Sequence, residues 1–156
     1  MKPYRKNVGV VIFNSQGEVL VGERIGLDGS WQFPQGGIDD DEDTKAAAYR
    51  ELYEEVGIKD AELVYEIPNW ISYDFPENFK APMAKKYAGQ IQKWFLLYWD
   101  HPANECNLQV HEQEFARVKF IPFQSCLDFI VSFKKEVYKK LIEILEPEIK
   151  KYLEKK

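Results

Sequence analysis

The sequence has few cysteines and no long hydrophobic segment. Its two cysteines, Cys106 and Cys126, show no metal-ligand or redox spacing, so we expect reduced thiols. No run of about 18 apolar residues occurs, which excludes a membrane-spanning helix. The N-terminal stretch MKPYRKNVGVVIF also lacks the apolar region and cleavage site of a secretory signal. We therefore expect a soluble, cytoplasmic protein without a membrane partner.

Positive charge is in deficit as well. The chain carries 21 lysines and arginines against 26 acidic residues, for a net charge of -5. This balance argues against binding nucleic acid through a broadly basic surface. The charges are uneven, however: an acidic block lies at residues 39–43, and lysines are concentrated after Lys134, in a segment that reads as a solvated amphipathic helix. The distribution of charge therefore matters more than its sum.

Length and composition predict one domain over residues 1–156. With 45% hydrophobic and 15% aromatic residues, the chain can bury one substantial core, and it shows no repeat or linker. Residues 8–13 and 18–25 are β-branched runs separated by the turn NSQG, which predicts a hairpin. Residues 30–43 contain Pro34 and a glycine pair and are predicted to be irregular.

A helix is predicted from Thr44 to Val56. Acidic residues precede it, Ala48 and Leu52 begin a buried stripe that Val56 completes, and Gly57 provides the stop. Three strands are predicted next, at residues 61–67, 92–99 and 116–121. Residues 125–156 are predicted to be helical, and Pro147 ends or kinks the main helix there. The order of strands, helix, strands and helix predicts an α+β layered sandwich rather than a doubly wound sheet.

The stretch RELYEEVG places Glu51, Glu54 and Glu55 on one face of the predicted helix, where like charges repel. The cluster is unfavourable unless a cation neutralises it. Its donors are hard carboxylate oxygens without histidine or thiolate, which favours Mg²⁺ or Mn²⁺. The alternative is a solvated helix face screened by Arg50 and Lys59. The glutamates alone do not decide between these interpretations.

The glycine-rich turn before the helix adds a fixed spacing. The stretch GGIDDDEDTKAAAYRELYEEVGI resembles the Nudix box: Gly, five residues, Glu, seven residues, Arg-Glu, an aliphatic residue, any residue, Glu-Glu, any residue, Gly and an aliphatic residue. Nine residues fill every position: Gly36, Glu42, Arg50, Glu51, Leu52, Glu54, Glu55, Gly57 and Ile58. The resemblance implies an αβα sandwich with a central mixed sheet, and hydrolysis of a nucleoside diphosphate linked to another group.

The same resemblance implies roles for the box residues. Glu51, Glu54 and Glu55 would hold Mg²⁺ or Mn²⁺ together with a backbone carbonyl of Gly36 or Gln35. The residues implied in catalysis are Arg50, Glu54, Glu55 and Glu114, of which Arg50 also pairs with Glu42 to orient loop and helix. A noncatalytic binding module with this fold is disfavoured because all three box glutamates are present.

Residues outside the box, from Tyr4 to about Tyr138, resemble bacterial RNA 5′ pyrophosphohydrolases and the related dinucleoside polyphosphate hydrolases. The matching stretches are YRKNVG, WQFPQGGI, GQIQKWFLL, the pair Glu114-Phe115 and VSFKKEVY. In YRKNVG, Lys6 replaces the proline usual in that family. The resemblance implies Mg-dependent hydrolysis of the 5′ tri- or diphosphate of RNA to a monophosphate, which initiates mRNA decay. The alternative is hydrolysis of a dinucleoside polyphosphate such as diadenosine tetraphosphate.

This second resemblance also implies a substrate site. Arg5 and Lys134 would lie near phosphates, and a base would stack in a cleft formed by Arg24, Val131 and Phe133. Gln90, Gln92 and Lys93 match the same segment and would line this groove, although strand alternation turns Lys93 to the other face. Glu114 would be a metal ligand or the general base. The alternatives are core packing for Val131 and Phe133, and an exposed loop position for Glu114. We expect an RNA 5′ end or a dinucleotide as partner and no DNA; the sequence leaves open whether a protein partner binds.

Overall fold

The computed structural model describes all 156 residues, and eight strands form one sheet. The strands are β1 (Tyr4–Phe13), β2 (Glu18–Arg24), β3 (Trp31–Gln32), β4 (Gln35–Gly37), β5 (Glu62–Glu66), β6 (Ile71–Asp74), β7 (Gly89–Tyr98) and β8 (Phe115–Pro122). The strand order is β3-β2-β1-β7-β5, with β4 on β1, β6 on β7 and β8 on β2. Only the β1–β7 pair is parallel, so the sheet is mixed, as predicted.

Helices cover both faces of the sheet. They are α1 (Thr44–Val56), the single turn α2 (Met83–Lys86) and α3 (Lys135–Glu154). None of them has the length and apolar character needed to cross a bilayer. Along β1, Val8, Val10 and Ile12 pack with α1, whereas Val11 and Phe13 pack with α3. This alternation, with a period of two, gives each face its own core and confirms the αβα sandwich.

The ends of α1 follow from local chemistry. The side chain of Asp43 accepts a hydrogen bond from the backbone N–H of Ala46 at 3.3 Å, which caps the start of the helix. Gly57 has φ of 73°, and its N–H donates to the carbonyl of Tyr53. The predicted bounds, Thr44 to Val56, are therefore confirmed.

The structure overturns one expectation from the sequence and excludes one of the two alternatives expected at Pro147. Residues 30–43 are not wholly irregular, because β3 pairs with β2 and β4 pairs with β1. The glycines weaken β4 as an isolated strand, but they leave its backbone free to pair with β1. Pro147 does not end α3, which continues to Glu154. Leu145 and Ile149 are buried in the same core on either side of the proline, so tertiary packing offsets the lost hydrogen bond.

Candidate active site

The acidic cluster of α1 lies beside Glu114, the residue immediately before the start of β8. Glu55 is only 5% exposed, and its Oε2 has no hydrogen-bond partner. Burial, the nearby charge of Glu114 and the charge of Glu51 raise the pKa of Glu55 well above its usual range. Glu51 also has a raised pKa, chiefly through burial. The structure therefore places Glu114 beside the box glutamates, as the sequence resemblance implies. Without a cation, the repulsion among these partly buried carboxylates destabilises the site.

Gly36 allows β4 to lie directly against the cluster. A Cβ atom added to Gly36 would overlap the carboxylate of Glu51, so only glycine permits this approach. The backbone of β4 is held there by pairing with β1, in which Val8 faces Gly36. Steric contact with Glu51 therefore explains why glycine occupies position 36 of the box.

Arg50 ties the glycine-rich turn to α1. Its guanidinium donates to both carboxylate oxygens of Glu42, at 2.8 and 2.9 Å, and to the backbone carbonyl of Gly37 at 2.8 Å. It also donates to Glu51 at 2.9 Å and to Glu54 at 3.4 Å. The Arg50–Glu42 contact that the sequence predicts is present and bidentate, a geometry that fixes orientation as well as charge.

The donor set fits a hard divalent cation. It consists of carboxylate oxygens, and the buried Oε2 of Glu55 is an acceptor without a partner, which a cation would satisfy. No three of these carboxylates converge closely enough to enclose a cation by themselves, and Arg50 contacts Glu51 and Glu54. The residues able to supply ligands are Glu51, Glu54, Glu55, Glu114 and the Gly36 carbonyl.

A cleft of about 670 Å³ lies next to this cluster. Five of the eight residues predicted for the substrate site line it: Arg24, Gln90, Val131, Phe133 and Lys134. Arg24 and Lys134 lie within electrostatic range of Glu55. Burial raises the pKa of Glu55 and lowers that of Lys134, and the charge of Arg24 partly offsets the first shift as the charge of Glu55 partly offsets the second. The structure therefore brings the predicted base-binding residues together beside the predicted metal ligands.

β6 and the segment that follows it supply an aromatic wall that sequence reasoning did not assign to the cleft. Tyr73, Phe75 and Phe79 line the cleft, and Phe133 packs against Phe79 and Tyr73 with ring centroids 5.1 and 5.8 Å apart. Phe133 thus packs against neighbouring rings and borders the cleft at the same time. The alternation of Ile71, Tyr73 and Phe75 was the available signal, because it places these side chains on one face of a strand.

Arg5 reaches the cleft through Gln90. The guanidinium donates to Gln90 Oε1 at 2.9 Å, Asn7 Nδ2 donates to the same oxygen at 2.9 Å, and Gln90 Nε2 donates to the Tyr73 hydroxyl at 2.6 Å. Arg5 itself faces an adjoining pocket that also borders Arg50. A cation in this position lies between the cleft and the acidic cluster.

Gln92 and Lys93 do not line the cleft, which corrects the expectation for Gln92 and agrees with the strand alternation expected for Lys93. Gln92 is buried behind the lining, where its Nε2 donates to Asn7 at 2.9 Å and to Gln35 Oε1 at 2.8 Å. Lys93 lies on the opposite face of β7 and donates to the carbonyl of Pro68 at 2.8 Å. Strand alternation separates Lys93 from Gln92, whereas the depth of Gln92 depends on tertiary packing.

This chain is similar in sequence and in fold to known proteins. The NUDIX domain profile matches residues 3–141. An RNA pyrophosphohydrolase of Bartonella tribocorum is 44% identical over 153 residues, covering 90% of this chain and 88% of the relative. Nudix hydrolase 25 of Arabidopsis thaliana is 43% identical over 148 residues, covering 90% and 85%. The dihydroneopterin triphosphate pyrophosphohydrolase of E. coli has a similar fold, with a TM-score of 0.69 at 20% identity, covering 90% and 98%.

Proposed function

The chain belongs to the Nudix hydrolase family, and from this premise we propose that it is an RNA 5′ pyrophosphohydrolase. It would convert the 5′ tri- or diphosphate of RNA to a monophosphate in the cytoplasm and so initiate mRNA decay. The observation that carries the proposal is the apolar, aromatic cleft beside the acidic cluster, with Arg24 and Lys134 between them. The name and 44% identity of the Bartonella relative support the same substrate class.

We assign Mg²⁺ or Mn²⁺ to the acidic cluster. Glu51, Glu54, Glu55 and Glu114, with the Gly36 carbonyl, would hold it. When bound, such a cation neutralises polyphosphate charge and lowers the pKa of a coordinated water. Glu114 serves as a ligand or as the general base that accepts a proton from the attacking water.

The remaining residues bind and orient the substrate. Arg5 and Lys134 face the phosphates, and Arg50 positions the glycine-rich turn and the glutamates through its contacts. The base stacks between the guanidinium of Arg24 and the side chains of Val131 and Phe133. Burial of the nucleotide in this cleft excludes water from one side of the polyphosphate.

Lys134 should make substrate binding sensitive to pH. Burial and the charge of Arg24 lower its pKa to about 8. The amine is charged below that pH and neutral above it, so KM for a 5′-triphosphorylated RNA should rise as pH increases through about 8. In Lys134→Arg the guanidinium stays charged, and this rise should disappear.

The measurement is KM between pH 7 and pH 9 at fixed free Mg²⁺, with the exposed substitution Lys139→Arg as control. Lys139→Arg should show the same profile as the unaltered protein. If Lys134→Arg also shows that profile, another group titrates and Lys134 does not bind the phosphates.

Hydrolysis of a dinucleoside polyphosphate is the second candidate, because a wall of aromatic side chains also fits the base of a free dinucleotide. The Arabidopsis relative, at nearly the same identity, carries only a family name, so identity does not separate the two. The test compares release of phosphate or pyrophosphate from a triphosphorylated oligoribonucleotide, its DNA counterpart and diadenosine tetraphosphate at matched Mg²⁺. We expect RNA to have the highest kcat/KM; a large preference for the dinucleotide would make the second candidate correct.

A further inference from the structure

Gln32 presents an unpaired amide inside the cleft. The residue is 3% exposed, it lines the cleft, and its Nε2 has no hydrogen-bond partner. Buried amide donors in folded proteins are nearly always paired, because leaving one unpaired destabilises the fold. An unpaired donor that faces a ligand cleft is explained most directly if the ligand supplies the acceptor.

The position of Gln32 in the sheet explains why its amide nitrogen is unpaired. Gln32 lies directly opposite Gly22 in the β2–β3 pair. Gly22 has no side chain to reach the amide, and a Cβ there would overlap the ring of Phe115. The neighbouring Trp31 packs on the other side of the sheet, where Lys119 Nζ lies 4.1 Å from its ring centroid. Neither β2 nor any other element supplies a hydrogen-bond partner for the amide nitrogen.

The other two amides of the cleft differ from that of Gln32. Gln90 is engaged through both atoms, since its Oε1 accepts from Arg5 and Asn7 and its Nε2 donates to Tyr73. Gln35 is engaged through its oxygen, which accepts from Gln92. Gln32 Nε2 is the amide nitrogen of the cleft that is both buried and unpaired. Gln32 also shares the cleft with Arg24, whose guanidinium we assign to the face of the base.

We propose that Gln32 determines base specificity by donating from Nε2 to a hydrogen-bond acceptor on the edge of the base stacked on Arg24. This inference rests on the proposed function. Unpaired RNA bases are read on their Watson–Crick and Hoogsteen edges, and glutamine is suited to this because one amide carries a donor and an acceptor. A site built around such a hydrogen bond discriminates strongly against a base that lacks the matching atom.

The first test is Gln32→Met, which keeps the length of the side chain and removes its polar atoms. Because the amide is unpaired in the free protein, Tm should be unchanged or higher. The kcat/KM for triphosphorylated RNA should fall about tenfold, since the substrate loses its hydrogen bond. Gln124→Met, on an exposed glutamine, serves as the matched control and should change neither quantity. A lower Tm or an unchanged kcat/KM in Gln32→Met would overturn the inference.

The second test asks which atom of the substrate is read. Guanine at the first or second nucleotide is replaced by 7-deazaguanine, which lacks N7, or by 2-aminopurine, which lacks O6. At least one replacement should lower kcat/KM about tenfold in the unaltered protein and have no effect in Gln32→Met. Equal effects in both proteins would exclude a contact to the base. If the variant instead loses only sensitivity to 2′-deoxy substitution, the amide contacts ribose and the inference is wrong.

A further variant, Gln32→Glu, replaces the donor with an acceptor of the same size. It should lose at least as much kcat/KM as Gln32→Met, and full activity would contradict the proposal. The rate of the unaltered protein on RNA tests the proposed function separately. If that rate is negligible beside its rate on diadenosine tetraphosphate, the RNA assignment fails. If the rate is high and the variants match it, only the role of Gln32 fails.

Discussion

Glu55→Gln should lower kcat by about 10³-fold while leaving the fold intact, because ligation by the cluster supplies several kcal/mol of transition-state stabilisation. Glu55 is the most buried of the cluster glutamates on α1, and its unpaired Oε2 is the acceptor that a cation would satisfy. Glutamine keeps the shape of the side chain but removes one ligand charge. The loss should therefore appear in turnover and in the Mg²⁺ concentration needed for half-maximal activity.

The matched control is Glu136→Gln on α3, an exposed glutamate whose contact is to Lys139. It should leave kcat and Tm unchanged. Glu55→Gln should be at least as stable as the unaltered protein without metal, since it removes charge from a buried site. Full turnover in Glu55→Gln would show that the cluster is a structural face of the helix rather than a metal site.

Local features of the chain predict the acidic face and its helix. The bounds of α1 depend on Asp43 and Gly57, which are next to it in sequence, and a period of 3.6 places Glu51, Glu54 and Glu55 together. The Arg50–Glu42 pair also bridges a short separation. Interactions of this kind are encoded within about twenty residues, so sequence spacing is sufficient to predict them.

Contacts between distant strands are not predictable in this way. Glu114 lies beside Glu55 because β8 pairs with β2. Its place in the site was predicted from the family resemblance, because no residue spacing links it to α1. Gln32 stood within a segment expected to be irregular, so no periodicity could show that its amide would be buried opposite Gly22. Gln92 was expected at the surface of the groove, and its burial depends on Gln35 from another strand.

Gly36→Ala should lower kcat by about 10²-fold with little change in Tm. The added Cβ would overlap the carboxylate of Glu51, which is the far end of a flexible side chain and can move away. A displacement of about 1 Å in a catalytic group commonly costs about 10²-fold in rate. Gly36 does not have a positive φ, so alanine is compatible with its backbone conformation.

Gly37→Ala is the informative comparison because its Cβ would overlap the guanidinium of Arg5 instead of a metal ligand. Both substitutions add one methyl group to β4, and both displace the end of a flexible side chain. If Arg5 binds phosphate and Glu51 binds metal, Gly37→Ala should raise KM, whereas Gly36→Ala should lower kcat and raise the Mg²⁺ requirement. The paired assays are kcat and KM as functions of Mg²⁺, with Tm measured for each variant. Identical kinetic defects in the two variants would mean that β4 is disturbed as a whole, and the separate roles of Glu51 and Arg5 would not hold.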